Sequence, residues 1–482
     1  MSLRSVAKVL AFLLLVTSAC LVLPALVALL YREPDWRHFL LAAAGGGVLS
    51  GGALLALRDA PDLRVREGFA VVACGWLAAG LLGAVPCWLS GQIPSFTDAA
   101  FESVSGFTTT GATILTDVEG RSHATLFWRA LSHWLGGMGI VLLAVAILPL
   151  LGVGGMQLFR AEVPGPTAER LTPRIRETAK LLWGVYVLLT ALETGALMLA
   201  GMGFFDAVCH SFATMATGGF SNHDASVGGY ATPAVEWIII VFMLLAGTNF
   251  SLHYLALRGR PDRYAKDEEF RFFLLIVAGV TGALTVLLLA AGFYGSTGET
   301  VRGALFQTVS ILTTTGFGTA DYLMWPPFAH AVLLMLMAVG GCAGSTGGGI
   351  KVVRLLILLK TAKLELRRML HPRAVFTLWF NGRAVAPSLQ TNVLGFFLLF
   401  MVVYGVGVLV LTAGGRDLVT SVGATAATLG NIGPGLGLVG PAGNYAALMD
   451  WEKWLLMAFM LVGRLELFTV LVLFLPGAWR RS

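Results

Sequence analysis

SGFTTTGAT, residues 105–113, is a short polar run that ends on a glycine and lies between apolar stretches; the chain repeats its pattern as ATGGFS (216–221), TTTGFGT (313–319) and GNIGPG (430–435). Each run follows a segment of about a dozen residues, too short for the ~20 residues that a bilayer-crossing helix needs. Each is followed by a long apolar segment. Non-helical backbone at membrane depth is tolerated only where protein buries it or where it lines a water-filled cavity. Four such loops around one axis would present a ring of carbonyl oxygens, which is how a cation pore replaces hydration water.

Composition supports a membrane setting. The chain has 482 residues, 56% of them hydrophobic and 12% charged, against about 25% charged in ordinary soluble domains. Ten hydrophobic stretches are read near 9–30, 38–57, 69–90, 125–151, 178–201, 233–256, 271–293, 326–358, 392–413 and 454–475. None alternates with the period of two expected of a membrane β-barrel. The expected fold class is therefore all-α: a polytopic membrane protein with ten transmembrane helices. The filter-like glycines Gly111, Gly219, Gly316 and Gly433 recur at about hundred-residue intervals, too long for a solenoid repeat but suited to helix–pore loop–helix units. The expected division is an N-terminal two-helix hairpin (1–60) and four pore repeats (61–160, 161–260, 261–372 and 373–482), the third carrying an intramembrane glycine-rich loop.

Most of the 33 Lys and Arg residues fall in alternate loops, including Arg58, Arg64 and Arg66, the 160–180 and 258–271 segments, and 351–383. The pore-loop segments lie on the other side. The positive-inside rule then places the basic loops and both termini in the cytoplasm, and topology alone explains the charge without nucleic acid. The five cysteines are scattered, with neither a disulfide framework nor metal-ligand spacing. They read as small buried hydrophobes.

Uncharged Thr108–Thr110, Thr217, Gly218, Thr313–Thr315, Asn431 and Ile432 flank the loop glycines. Carbonyl and hydroxyl oxygens suit a weakly held monovalent ion, whereas a divalent pore more often uses a carboxylate ring. Glycine and threonine also let helices pack closely, but recurrence at the same place in four units favours the loop reading. Asp98, Asp206, Glu299 and Asp417 sit near the starts of the short helices, as caps or as partners of the helix dipole.

Gly340, Gly341, Gly344, Gly347, Gly348 and Gly349 interrupt the 326–358 stretch. Glycine costs ~1 kcal/mol in a helix interior, so a break is expected there; a close helix crossing is the competing reading. Arg464, inside an apolar stretch, is the other anomaly. Glu466 is only two residues away and does not share its helix face.

At these residues the chain resembles the TrkH/KtrB/HKT superfamily of potassium transporters, in its TrkH branch. The resemblance is carried by HWLGGMGIVLLAVAILPLLGVGGMQLFRAEVPGP (133–166), TGGFSNHDAS (217–226), TTTGFGTADY (313–322), GSTGGGIK (344–351) and GNIGPG (430–435), and it spans almost the whole chain. It implies potassium uptake across a bacterial inner membrane and no enzymatic activity. The transported K⁺ would be held at Thr110, Gly111, Gly218, Gly219, Thr315, Gly316, Ile432 and Gly433, with Thr109, Thr314 and Asn431 completing the filter. A gate would be formed by Gly344, Ser345, Thr346, Gly347, Gly348, Gly349 and Arg464. The resemblance further implies a homodimer and a cytosolic TrkA-like RCK subunit that binds NAD(H) or ATP/ADP, with no organic cofactor in this chain. A proton- or sodium-coupled symporter on the same scaffold is the alternative, with Glu102 and Glu193 as its candidate acids.

Overall fold

The computed structural model describes residues 2–61, 65–146, 171–230 and 232–476. Much of the 133–166 motif, the basic positions Arg160 and Arg170, and the C-terminal Arg480 and Arg481 lie outside them.

Among the described residues, six helical spans are long and apolar enough to cross a bilayer: Leu3–Leu30, Trp36–Ala56, Glu67–Leu89, Lys180–Leu199, Glu268–Ala290 and Pro387–Ala413. Most of their apolar surface faces outward, with Leu49, Leu55, Leu275 and Leu409 among the exposed side chains. Four short helices invert this arrangement. Phe96–Phe107, Phe204–Met215, Thr297–Leu312 and Leu418–Leu429 are rich in Ser, Thr, Gly and Ala, yet nearly every residue in their second halves is buried. An apolar exterior around a polar, small-residue interior is what lipid as solvent selects. Three of these pore helices have 12 residues and Thr297–Leu312 has 16, lengths of ~18 and ~24 Å, so each ends partway through a ~30 Å hydrocarbon layer.

The packing closes on itself. Each pore helix lies against the outer helix before it and against the second helix of its own repeat; it also touches the second helix of the preceding repeat. Thus His123–Ala146 packs on the second pore helix, Pro233–Ala246 on the third, Pro327–Met337 on the fourth, and Asp450–Arg464 back on the first. That last contact turns a linear repeat into a ring.

The second helices are not all continuous, which corrects the reading of 233–256 and 454–475 as single apolar helices. Pro233–Ala246 and Phe250–Leu257 meet at a 100° bend, and Asp450–Arg464 and Phe468–Phe474 at 110°. The backbone reasons are local: Asn249 caps the new helix through its side chain, while Glu466 and Leu467 take positive φ of 56° and 28°. The expected break in 326–358 is present, with helix ending at Met337 and resuming at Val352. Beyond it, Trp379–Phe380 and Arg383–Ala384 form a two-stranded hairpin. Its turn, Asn381-Gly382, has φ of 48° and 71°, the mirror-image turn that Asn-Gly favours.

Candidate functional site

Each pore helix ends in the same way. The N–H of Thr110 donates to Ser105 O, that of Gly218 to Ala213 O, that of Thr315 to Ser310 O and that of Ile432 to Ala427 O, at 2.8–2.9 Å. The N–H groups of Thr109, Thr217, Thr314 and Asn431 reach back three residues, to Gly106, Thr214, Ile311 and Thr428, at 2.9–3.2 Å. This double closure is the Schellman motif, which demands a left-handed residue just past the helix and normally takes glycine there. Here the position is filled by Thr109 (φ 51°), Thr217 (53°), Thr314 (60°) and Asn431 (55°). A β-branched residue with such a φ is a genuine outlier, and left-handed backbone costs about 1–2 kcal/mol per residue.

Two residues on, Gly111, Gly219, Gly316 and Gly433 are also left-handed, at φ 79°, 78°, 81° and 97°. The residue between them, Thr110, Gly218, Thr315 or Ile432, is not. Handedness therefore alternates along each loop in the same way, left-handed at the first and third of these three residues.

The four loops meet one another in cyclic order. A methyl group at Gly111 would strike Gly218 O; one at Gly219, Thr315 O; one at Gly316, Ile432 O; and one at Gly433, Thr110 O and Gly111. The four glycines thus abut one another's loops in cyclic order and line one cavity. Glycine is required at these positions twice over, by φ and by the neighbouring backbone. Polar contacts staple each junction. Ser226 accepts from Gly318 N, and Gly228 N donates to Gly318 O, between loops two and three. Tyr322 Oη donates to Gly435 O at 2.7 Å between loops three and four. Between loops four and one, Tyr445 N donates to Thr113 O at 2.8 Å, and Asn431 Nδ2 to Thr110 Oγ1 at 3.0 Å.

Between loops one and two the staple is ionic, and spacing gave no sign of it. Glu102, on the first pore helix, takes Arg129 Nε at 2.8 Å, Thr113 Oγ1 at 2.9 Å and Ile114 N at 2.9 Å. Arg129 also donates to Ser221 O at 3.1 Å and lies over the Phe220 ring. Both charged side chains are buried. Above the ring, an open cavity of about 160 Å³ is lined by the four glycines together with Arg129 and Tyr445.

The pore helices begin on acids and hydroxyls. Ser95 and Ser296 cap the first and third pore helices with Asp98 and Glu299 in the first turn, and Asp417 caps the fourth. Asp206 lies in the first turn of the second, at whose start Gly203 supplies no side-chain cap. The hydrogen bond from Thr420 holds the exposed Asp417 carboxyl below its ordinary range.

The glycine-rich segment lies against the opposite side of the ring. Thr346 Oγ1 donates to Met215 O, the last residue of the second pore helix, at 3.0 Å. Gly348 N donates to Thr314 Oγ1 at 2.7 Å. A methyl at Gly347 would press on Thr313 O at 3.0 Å, and one at Gly348 on Asn431 Cβ at 2.9 Å. Ends of three pore helices therefore touch this loop, and its left-handed Gly340, Gly344 and Gly349 make the close approach possible.

Two buried cations grip the loop. Arg464 Nη1 donates to Thr346 O at 2.7 Å, and Lys351 Nζ donates to Gly347 O. Arg464 is 2% exposed, and its Nε and Nη2 have no partner among the described residues. Glu466 pairs with Arg354 at 2.5 Å, not with Arg464, as their two-residue spacing required. Thr217 and Lys351 were visible in the motifs but unassigned. Thr217 is found by aligning the four helix ends, Lys351 by asking why a cation ends a glycine run.

Among the described residues no cluster of three or more His, Cys, Asp or Glu could hold a metal. The ring offers peptide carbonyls, and Thr109 Oγ1 is buried there with no hydrogen-bond partner among the described residues. Such neutral oxygens fit an alkali cation as transported substrate.

Comparison with known proteins agrees with this architecture. A family model described as "Cation transport protein", TrkH, matches residues 47–479. The Trk system potassium uptake protein TrkH of Salmonella typhimurium is 45% identical over 488 residues, with 100% of each chain covered. Its Escherichia coli counterpart is 44% identical at the same coverage. The crystal structure of the potassium transporter TrkH from Vibrio parahaemolyticus superposes with a TM-score of 0.92 at 42% identity, covering 100% of both chains.

Proposed function

Because this chain belongs to the TrkH family of cation transport proteins, we propose that it carries K⁺ into a bacterial cell through the four-loop ring. One observation carries the reading. Gly111, Gly219, Gly316 and Gly433 contact one another's loops in cyclic order, each with left-handed backbone and no charged neighbour in the ring itself. Carbonyls so aimed replace hydration water around a monovalent ion without holding it too tightly to leave. The residues in the filter are Thr109, Thr110, Gly111, Gly218, Gly219, Thr314, Thr315, Gly316, Asn431, Ile432 and Gly433, to which the shared helix-end geometry adds Thr217.

Ions enter from the open cavity and leave past the glycine-rich loop. The alternation of basic loops orients that loop toward the cytoplasm of an inner membrane, so that a negative interior draws K⁺ inward with ~2.3 kcal/mol per charge per 100 mV. Gly344–Gly349 act as the gate, with Arg464 holding Thr346 O across the pathway and opposing cations by its charge. The names of the relatives speak of a Trk system, which supports assembly with other components. We assign these as a second copy of the chain and a cytosolic nucleotide-binding RCK subunit. The 1–60 hairpin and the four following repeats are the units of this architecture.

Flux in liposomes tests the reading. Purified protein should carry K⁺ down an imposed potential and discriminate against Na⁺, and Gly219→Ala should abolish the discrimination. Equal K⁺ and Na⁺ flux in the wild type would refute it.

One observation favours the coupled alternative. Glu193 is fully buried on helix Leu171–Leu199, and neither carboxyl oxygen has a hydrogen-bond partner among the described residues. Glu102, the other candidate acid, is committed to Arg129. A symporter that carries a proton on Glu193 would shift its reversal potential under a pH gradient, and Glu193→Gln would remove that shift.

A further inference from the structure

We propose that Glu269 is the positioning residue that fixes the glycine-rich loop across the pathway, and that the Asn381 hairpin at the surface controls it. This rests on the reading of that loop as a gate.

A single oxygen, Glu269 Oε1, accepts the N–H of Ala343 at 2.7 Å and that of Val353 at 3.0 Å. Those two residues flank Gly344–Val352, so one carboxylate draws both ends of the loop to one point. Val353 lies in the first turn of helix Val352–Leu370, where backbone N–H groups lack partners within the helix and a negative charge is favoured. Glu269 is 2% exposed, so its bonds are little weakened by water.

The neighbouring residues tie the same point to the surface. Asn381, at the tip of the hairpin, accepts Glu268 N through Oδ1 at 2.8 Å and donates Nδ2 to Asp267 at 2.8 Å. Its own N–H donates to Glu268 Oε1 at 2.9 Å. Lys360 Nζ bridges Glu268 and Trp379 O. Leu378 and Phe380 of the hairpin are buried against Val353 and Ile357, on the helix that leaves the loop. Trp379 and Val375 beside them are 57% and 95% exposed, an external handle. Three consecutive acids, Asp267, Glu268 and Glu269, thus join an exposed hairpin to both ends of a buried loop. A displacement of the hairpin reaches the loop through rigid, hydrogen-bonded backbone and needs no other moving part.

Cys342, adjacent to Ala343, is buried at 1% exposure, and the accessibility of its thiol reports the loop directly. With the other four cysteines replaced, its rate of modification by a water-soluble maleimide is measured alongside K⁺ flux in liposomes. Glu269→Gln is expected to raise both by about tenfold or more, the scale of losing charge-assisted bonds, with Glu269→Asp closer to wild type. Asn381→Ala, at the surface, should raise both less. The double variant should match Glu269→Gln alone, because the two act through one contact. Wild-type labelling and flux in Glu269→Gln would overturn the proposal, and so would Asn381→Ala and Glu269→Gln effects that simply multiply. If Glu269→Gln does not fold, an unchanged Asn381→Ala overturns it alone. Wild-type protein that carries no K⁺, while labelling follows the predicted order, would defeat the transport reading and leave the positioning role standing.

Discussion

Glu102→Gln tests how far the ring depends on the buried ionic junction between loops one and two. The carboxylate takes three donors, Arg129 Nε, Thr113 Oγ1 and Ile114 N, all within 3.0 Å. The paired side chains are 5% and 3% exposed, so solvent screening relieves little. Removing one partner of a buried pair costs about 3–5 kcal/mol, because the remaining charge is stranded. Glutamine keeps one carbonyl acceptor, which places the expected loss near the lower bound, about 3 kcal/mol. That exceeds the ~1 kcal/mol of a typical neutral hydrogen bond, so this junction should loosen before the Tyr322 and Tyr445 junctions do. Thr113 and Ser221 lie two residues beyond Gly111 and Gly219, so the loosening should widen the ring between loops one and two. The assay pairs thermal unfolding in detergent with K⁺-to-Na⁺ flux ratios in liposomes. Melting should fall by several degrees and the K⁺ preference should drop. Glu102→Gln with Arg129→Gln should recover part of the melting loss by removing the stranded charge, without restoring the preference. Lower melting with unchanged ion preference would refute the reasoning, because the pair would then support the fold without shaping the ring.

Gly316→Ala should abolish K⁺ preference in the flux assay, since its methyl meets Ile432 O and Pro434 in a backbone at φ 81°. Arg464→Ala, which frees Thr346 O, should raise K⁺ flux at normal expression; unchanged flux would count against the gate. Thr217→Gly should raise the melting temperature, because glycine relieves about 1–2 kcal/mol of left-handed strain. The cap from Asp417 to Thr420 should be lost on acidification. Its folded pKa is depressed, so its stabilisation is complete above the ordinary carboxylate value of about 3.9 and fades as pH falls through the folded value. Hydrogen exchange at Thr420 should accelerate only below about pH 4.

The repeat was legible because the physical demand is local. Each pore helix must stop partway through the membrane, and its Schellman closure writes Thr or Asn followed two residues later by glycine. The same reading located the break at 338–351, where glycines accumulate. It missed the bends after Ala246 and Arg464. Gly247, Thr248 and Asn249 are few, and single small polar residues are common in unbroken membrane helices; the bend at Asn249 is held by the approach of the distant glycine-rich loop, with Phe250 N donating to Gly344 O. Glu102, Arg129 and Glu269 were invisible as a group for a related reason. Glu102 and Arg129 are 27 residues apart, and Glu269 is 74 from Ala343. Their meaning comes from partners that only the closed ring supplies. Lone charges in apolar segments are nonetheless costly, and that cost was the available signal.

Crystals soaked with Rb⁺ or Tl⁺ offer the most direct measurement. Anomalous density should place an ion on the axis between Gly111, Gly219, Gly316 and Gly433, in contact with carbonyls of all four loops. Density confined to other sites, with the centre of the four loops empty at saturating ion, would contradict the account.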